Sequence, residues 1–340
     1  MLKNRFLLFN NPFEVLVKEG TIDVDIPDDN VLVKSIYSGI SAGTELLVYR
    51  GQIPEGMLLD PLIPEFSETF SYPVQYGYSV VGEVVKAGNK IDQKWVGRRI
   101  FAFNAHEAYF SVDLNSVIEI PDEISYLDAL FLPNTETALN FLMDGAPVLG
   151  ENVAVIGQGV VGLLTTRLLD SFPISNLVTF DNILNRRQMS LDFGARHSFD
   201  NFDDSKINSI FHNDYKGFDL VYELSGNPMA LNNALDITGY SGRIIVGSWY
   251  GNKESVLSLG SSFHRNRITI SSSQVSTIDP KFSGRWTKER RFSVVWDLVK
   301  DIKPSRLITH KYSIEEASLA YDNLDQNSGD TLQVIFEYDK

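Results

Sequence analysis

Three glycines, Gly157, Gly159 and Gly162, follow a short apolar run and have the spacing G-x-G-x-x-G. In this spacing the first glycine permits a tight turn, the second lets a pyrophosphate approach the backbone, and the third lets a helix pack closely on the preceding strand. The free N–H groups and the dipole at the start of that helix form an anion site. The spacing therefore predicts a dinucleotide site, and with it the hydride-transfer chemistry of a nicotinamide.

A carboxylate follows at the distance expected for a ribose contact. Asp181 ends the next apolar run, 19 residues beyond Gly162 (181 − 162). A carboxylate at about 20 residues hydrogen-bonds the ribose of NAD and repels the extra phosphate of NADP. NAD is therefore favoured, with NADP as the alternative because Arg186 and Arg187 follow closely and could bind that phosphate. A flavodoxin-like or purely structural βαβ unit remains the other interpretation of the glycines.

The elements around the glycines alternate between strands and helices. Strands are predicted at 153–156, 177–180, 219–223, 243–247 and 268–272, with helices such as 187–193 and 227–237 between them. This alternation predicts an α/β fold with a doubly wound parallel sheet.

The first part of the chain has a β-rich pattern instead. Strands are predicted in 13–18, 29–37, 96–103 and 108–112, a glycine-punctuated strand pair in 76–88, and loops in 38–45 and 51–72, the second with Phe66, Phe70 and Tyr72. Segments 307–313 and 331–336, with the helix 314–324 between them, are predicted strands that return to this part.

Composition and charge exclude several kinds of partner. The formal net charge of −14 argues against nucleic acid and anionic membrane surfaces, and the basic residues between Arg285 and Arg291 are interpreted as a solvated helix start. No stretch has the ~20 apolar residues of a membrane span. The N-terminus lacks the apolar core of a signal peptide, so a cytoplasmic location is expected. The absence of cysteine excludes disulfides and cysteine-rich zinc sites.

Several segments together resemble the medium-chain dehydrogenase/reductase superfamily, which includes alcohol, sorbitol and threonine dehydrogenases. They are Ser38-Gly-Ile40, Val81-Gly-Glu-Val-Val85, Gly97-Arg-Arg-Ile100, residues 108–124, the glycine turn and Glu223-Leu-Ser-Gly226. The resemblance covers nearly the whole chain. It implies a GroES-like partial β-barrel in residues 1–125 and 277–340, a Rossmann domain in residues 126–276, an active site in the cleft between them, and a homodimer or homotetramer.

The positions of the zinc ligands in zinc-dependent members hold other residues in this chain. Ser41 and Ala42 replace a cysteine, Tyr78 and Ser79 replace His-Glu, and Leu132 stands near the third position. Leucine and alanine cannot bind zinc, and neutral serine and tyrosine are poor substitutes. The resemblance is therefore to a zinc-free branch, with no metal ligands predicted. Two segments, 38–45 and 134–140, also resemble a zinc-less set that includes bacteriochlorophyllide hydroxyethyl dehydrogenase.

Without zinc, side chains must stabilise the oxyanion and move the proton of a hydride transfer. Tyr78 could donate to a carbonyl oxygen, or it could only fill the vacated pocket. Glu45 and Thr44 match a family acid and hydroxyl, with a loop-stabilising carboxylate as the alternative for Glu45. Burial would raise the pKa of Glu136 near the nicotinamide, but this residue could also be a helix N-terminal carboxylate. Ser41 completes the candidate catalytic set.

The glycine spacing and the resemblance together predict the cofactor-binding residues. These are Gly157, Gly159, Val160, Val161, Gly162, Asp181, Arg186, Ser225, Gly226, Gly247 and Thr137. Of the five histidines, His264 is the most conspicuous, because Arg265 or Arg267 beside it could clamp an anion. The other four, His106, His197, His212 and His310, show no pairing and receive no predicted role.

The predicted function is a zinc-independent, NAD-preferring oxidoreductase that interconverts a secondary alcohol and a ketone in a small-molecule substrate. One alternative is a reductase of an activated C=C bond of the enone or quinone type. The other is a nucleotide-binding sensor that has lost catalysis.

Overall fold

The computed structural model describes residues 1–54, 56–58, 69–211 and 216–338. Phe66 and the rest of 59–68 in the predicted loop, and His212, lie outside the described residues. The chain forms two compact units, Met1–Pro133 with Trp296–Lys340, and Asn134–Val295. The domain boundaries expected at 125/126 and 276/277 stay a prediction, because one helix runs across each unit boundary, at Leu132–Gly145 and Lys288–Ile302.

The first unit is rich in β-strands, as the sequence indicated. Its elements are β1 (Leu2–Asn11), β2 (Glu14–Ile22), β3 (Asn30–Ile40), α1 (Ala42–Tyr49), β4 (Val80–Ala87), β5 (Arg99–Ala102), β6 (Tyr109–Asp113), β7 (Val117–Glu119), α2 (Tyr126–Ala129), β14 (Ile308–Ser313), α9 (Ala317–Gln326) and β15 (Gln333–Glu337). β1 and β2 form an antiparallel hairpin, and a seven-stranded sheet has the order β14-β15-β3-β4-β5-β7, with β6 also paired to β3. The late strand β15 pairs with β3, so the C-terminal segment shares the sheet of the first residues.

The second unit is the predicted doubly wound sheet. Its elements are α3 (Leu132–Gly145), β8 (Asn152–Ile156), α4 (Val160–Asp170), β9 (Asn176–Phe180), α5 (Leu184–Asp192), β10 (His197–Phe199), α6 (Asp204–Asn208), β11 (Phe218–Glu223), α7 (Ala230–Ile237), β12 (Thr238–Val246), β13 (Thr269–Ser272) and α8 (Lys288–Ile302). The strand order is β10-β9-β8-β11-β12-β13, and all pairs are parallel. The chain changes direction across the sheet between β8 and β11, and ligands bind at the carboxyl ends of strands at such a switch point. The α/β fold class is confirmed.

Two local predictions in the first unit are wrong. Residues 76–88 contain one strand, β4, and not a strand pair. Gly82 lies inside that strand. A Cβ added there would be 2.4 Å from the carbonyl oxygen of Lys34, so the glycine allows a close approach of two backbones and does not mark a turn. The predicted loop 38–45 is the end of β3 followed by the start of α1. The Glu45 carboxylate accepts the backbone N–H of Ser41, 2.8 Å away, which stabilises this helix start.

Among the described residues, the helices are too short or too polar to cross a lipid bilayer.

Gly162 should be intolerant of even one methyl group. A Cβ on this residue of α4 would lie 2.0 Å from the carbonyl oxygen of Gly157. Helix propensity alone predicts that Gly162→Ala stabilises by about 1 kcal/mol, but overpacking of this kind costs about 1–3 kcal/mol. We expect a lower free energy of unfolding, measured by urea denaturation. The matched control is Gly43→Ala in α1, where no heavy atom of the described residues lies within 4 Å of the added Cβ. That variant should be neutral or stabilised, and equal behaviour of the two would contradict the close packing at Gly162.

Candidate active site

The glycine turn has a closed side and an open side. Gly157 has φ of +91°, and a Cβ there would lie 2.6 Å from the Cα of Ser225. Gly162 packs against Gly157 as described above. At Gly159, which precedes α4, no heavy atom of the described chain lies within 4 Å of an added Cβ. The backbone at Gly159 is therefore open to the approach of an anion, and the first N–H groups of α4, at Val160 and Val161, have no partner within the helix because of its geometry.

Asp181 lies directly beside this turn. Its carboxylate accepts the backbone N–H of Gln158 at 2.7 Å and that of Ile183 at 2.9 Å. These two bonds fix the carboxylate at the carboxyl end of β9, next to β8. Burial lowers the pKa of the neighbouring Arg186 guanidinium, whereas the charge of Asp181 raises it. The structure thus brings Asp181 and Arg186 together with the glycine turn.

The carboxyl end of β11 is organised by Glu223, which was part of a family-like segment but not one of the predicted site residues. Its buried carboxylate accepts the N–H of Ser225 at 2.9 Å and the hydroxyl of Tyr250 at 2.5 Å. The N–H of Gly226 is bound by the Ser248 hydroxyl at 2.9 Å. The signal in the sequence was an acidic residue directly after the apolar residues Leu220, Val221 and Tyr222 of a predicted strand.

Gly247 follows β12, and its lack of a side chain lets Phe141 of α3 pack closely at this edge of the sheet. An added Cβ would lie 2.2 Å from Cζ of Phe141 in α3. A larger residue would displace this aromatic ring. The predicted cofactor residue Thr137 is half-buried in the same helix.

Glu136 forms a buried ion pair that was not anticipated. The guanidinium of Arg291 is fully buried and donates from Nε to the Glu136 carboxylate at 2.8 Å. The interpretation of Arg291 as part of a solvated helix start is therefore wrong, although Arg285 and Arg290 are exposed. Burial raises the pKa of the Glu136 carboxyl, as expected, while Arg291 opposes that shift. A proton-transfer role for Glu136 stays a prediction.

A second buried network, in the first unit, is centred on Glu45. One carboxylate oxygen accepts the Ser41 N–H; the other lies 2.9 Å from Nε2 of His106 and also accepts the hydroxyl of Tyr321. The side chains of Glu45, His106 and Tyr321 are fully buried. Burial, followed by the charge of Glu45, raises the pKa of Tyr321 well above its usual value. Tyr321 therefore remains a hydrogen-bond donor, and Glu45 is held in one position.

His106, to which no role was assigned from sequence, connects this carboxylate to a further pair of hydroxyls. Its Nδ1 lies 2.7 Å from the Ser38 hydroxyl, which lies 3.0 Å from the hydroxyl of Tyr338. A Cβ on Gly77 would be 2.6 Å from the imidazole ring. The position of the imidazole ring therefore requires a glycine at residue 77. The sequence did not indicate this contact, because His106 is an isolated histidine in a β-rich segment.

Three of the positions that the family resemblance compares with zinc ligands carry hydroxyl groups, which form hydrogen bonds to each other or to the backbone. Tyr78 donates a hydrogen bond to the Ser41 hydroxyl. Ser79 donates to the carbonyl oxygen of Leu130 at 2.7 Å, and Leu132 is fully buried. Over the described ranges, no three His, Cys, Asp or Glu side chains come together as a metal site. These residues do not fit zinc.

Thr44 and the group of basic residues around His264 were also candidates from the sequence. Thr44, in the first turn of α1, is half-buried beside Glu45. His264, Arg265 and Arg267 are exposed and precede β13. They lie at the amino edge of the parallel sheet, whereas ligands bind at the carboxyl edge. The suggested anion clamp at His264 is therefore not part of the candidate cofactor site.

Comparison with known proteins connects this geometry to a family. Residues 160–293 match the family model described as zinc-binding dehydrogenase. (R,R)-butanediol dehydrogenase of Bacillus subtilis is 26% identical over 73% of this chain and 76% of its own length. L-threonine 3-dehydrogenase of Xanthomonas campestris pv. campestris is 22% identical over 90% of this chain and 92% of its own. The crystal structure of 2R,3R-butanediol dehydrogenase from Bacillus subtilis superposes with a TM-score of 0.79, at 20% identity and 98% and 99% coverage. Residues 160–293 are thus a dehydrogenase domain, and over most of its length the chain is similar to NAD(P)-dependent, alcohol dehydrogenase-like oxidoreductases of the medium-chain dehydrogenase/reductase superfamily.

Proposed function

We propose that the chain is a zinc-independent oxidoreductase that prefers NAD over NADP and interconverts a secondary alcohol and a ketone. The observation that supports it most directly is the open space at Gly159 beside the fixed carboxylate of Asp181. In this proposal the backbone N–H groups of Val160 and Val161 hold the diphosphate, and Asp181 accepts hydrogen bonds from the adenosine ribose. Bound nicotinamide would supply the site that accepts or donates hydride.

Zinc independence is supported by the donor chemistry at the aligned positions. A tetrahedral zinc site needs thiolate, imidazole or carboxylate ligands. The side chains at these positions are two neutral hydroxyls, of Ser41 and Tyr78, and the hydrocarbon of Leu132. The hydroxyl of Tyr78 donates a hydrogen bond to that of Ser41. We infer that stabilisation of the substrate oxygen depends on hydrogen bonds from side chains.

Tyr78 is the proposed donor to the substrate oxygen. Its hydroxyl points to Ser41, whose backbone N–H is held by Glu45. Because Glu45 is itself fixed by His106 and Tyr321, the Ser41–Tyr78 pair is supported by side chains that are closed to water. Glu45 is thus assigned as a positioning residue; Ser41 and Thr44 supply hydroxyls for moving the proton.

The substrate class is proposed from the relatives. They are named for butanediol and for position 3 of threonine. Both compounds carry a secondary hydroxyl, and oxidation of each gives a ketone. The expected homodimer or homotetramer and the cytoplasmic location stay predictions.

Metal-stripped protein should oxidise NADH with ketones and bind NADH more tightly than NADPH. The reaction is followed by loss of nicotinamide absorbance over a panel of ketones, enones and quinones. Turnover of enones or quinones alone would favour C=C reduction, and tight binding without turnover would favour a sensor. Stoichiometric zinc in the active protein, with activity lost on chelation and restored by zinc, would rule out zinc independence.

Tyr78→Phe should lower kcat and leave the Kd for NADH unchanged. Removal of one donor to a developing oxyanion costs on the order of 10²–10³ in kcat, while Tyr78 lies in the first unit and the predicted cofactor residues lie in the second. The matched control is Tyr37→Phe, which removes an exposed hydroxyl 3.4 Å from Glu337. Equal rates for Y78F and wild type would show that Tyr78 is only a filler.

Glu45→Gln should destabilise the first unit. Glutamine has one acceptor oxygen in place of two, so at least one of the donors from Ser41, His106 or Tyr321 loses its partner. A buried unsatisfied polar group costs about 1–3 kcal/mol. In a double-mutant cycle with Tyr321→Phe, monitored by chemical unfolding, the pair should couple by about 0.5–3 kcal/mol. Additive effects would mean that the two residues do not share this network.

A further inference from the structure

We propose that Arg291 is a positioning residue for the nicotinamide half of the cofactor. In this proposal Arg291 holds residues 273–277, which follow β13, against α3. The inference rests on the proposed function, because it requires a nicotinamide dinucleotide on the parallel sheet. No feature of the sequence singled out Arg291, which stands among three exposed or half-exposed basic residues.

Arg291 binds the backbone of this segment directly. Its Nη2 donates to the carbonyl oxygen of Val275 at 2.5 Å, and its Nη1 donates to that of Thr277 at 3.2 Å. The segment begins where Ser273 extends the sheet, since its N–H is 2.9 Å from the carbonyl oxygen of Val246. Both ends of the five residues are therefore fixed, one by β12 and one by the guanidinium.

The same guanidinium is held by α3. Glu136 accepts from Nε, and Asn140 accepts from Nη1 at 2.8 Å. The Asn140 amide then donates to the Ser273 hydroxyl at 3.0 Å, and that hydroxyl donates to Asp144 at 2.5 Å. One side of α3 is thus connected to residues 273–277 at three places, through Arg291 at two of them.

Only arginine can make this set of contacts. A guanidinium presents five N–H donors in a rigid plane, whereas an ammonium is a compact charge with three. Lysine at position 291 could keep the charge pair with Glu136, but it could not also reach both carbonyl oxygens in fixed directions. The arrangement therefore uses the shape of the side chain and not only its charge.

The location of the segment links it to the nicotinamide. A doubly wound sheet has two mononucleotide-binding halves, and the dinucleotide crosses the switch point between them. Asp181 marks the half of β8, β9 and β10 as the adenosine side. The half of β11, β12 and β13 is then the nicotinamide side, and residues 273–277 lie at its carboxyl edge.

Arg291→Lys tests this assignment with two ligands, NADH and ADP-ribose, which lacks the nicotinamide. We expect the Kd for NADH to rise about tenfold and kcat to fall on the order of 10–100-fold, because a misplacement of about 1 Å costs ~10² in rate. The Kd for ADP-ribose should stay within about twofold of wild type. Arg290→Lys is the matched control, since Arg290 is exposed and stacks over Trp286 at 4.3 Å; it should change neither affinity.

If R291K binds NADH and ADP-ribose equally more weakly, Arg291 has only a general structural role and the proposal is wrong. The proposal is also wrong if both affinities and kcat are unchanged. If R291K does not fold, Ser273→Ala decides, because it deletes one connection and leaves the ion pair. That variant should also weaken NADH more than ADP-ribose, and an unchanged ratio would overturn the proposal. Wild-type protein that binds neither ligand would instead reject the proposed function.

Discussion

Burial of a carboxylate costs free energy unless hydrogen-bond donors replace the water around it. This protein buries three such side chains, Glu45, Glu136 and Glu223. Each one gathers donors from segments that are distant in sequence. Glu45 is bound by residues from 41 to 321, and Glu136 is bound by Arg291. Irregular segments in both units are fixed in this way, because removal of a donor would leave a buried carboxylate with one of its hydrogen bonds unmade.

The glycine turn and the parallel sheet could be predicted because their signals are local. Gly157, Gly159 and Gly162 each meet a different steric condition, and these conditions follow from backbone geometry alone. The short strands β8, β9 and β11 were found for the same reason, since their central residues are apolar, as burial on both faces of a parallel sheet requires.

The buried networks could not be predicted in the same way. His106 and Glu45 are 61 residues apart, and Glu136 and Arg291 are 155 apart. No periodicity connects such pairs, and a basic residue among other basic residues is normally solvated. The strand pair expected at 76–88 failed for a related reason: Gly82 is required by the backbone of the neighbouring strand, and a sequence does not distinguish that requirement from a turn. The sequence shows that ligand side chains are missing at the positions compared with zinc ligands, but the Tyr78–Ser41 hydrogen bond depends on how the start of α1 lies against the residues before β4.

The tight contacts at Gly157 and Gly162 also limit how this protein could change its coenzyme preference. Neither of these two positions admits a side chain, so substitution at Gly157 or Gly162 would disturb the turn itself. The charges next to the turn lie at the end of β9 and the start of α5, where Asp181 and Arg186 carry opposite charges. In the proposed function, a change of preference between NAD and NADP would therefore come from the balance of charge at these two residues, while the tight contacts of the glycine turn stay constant.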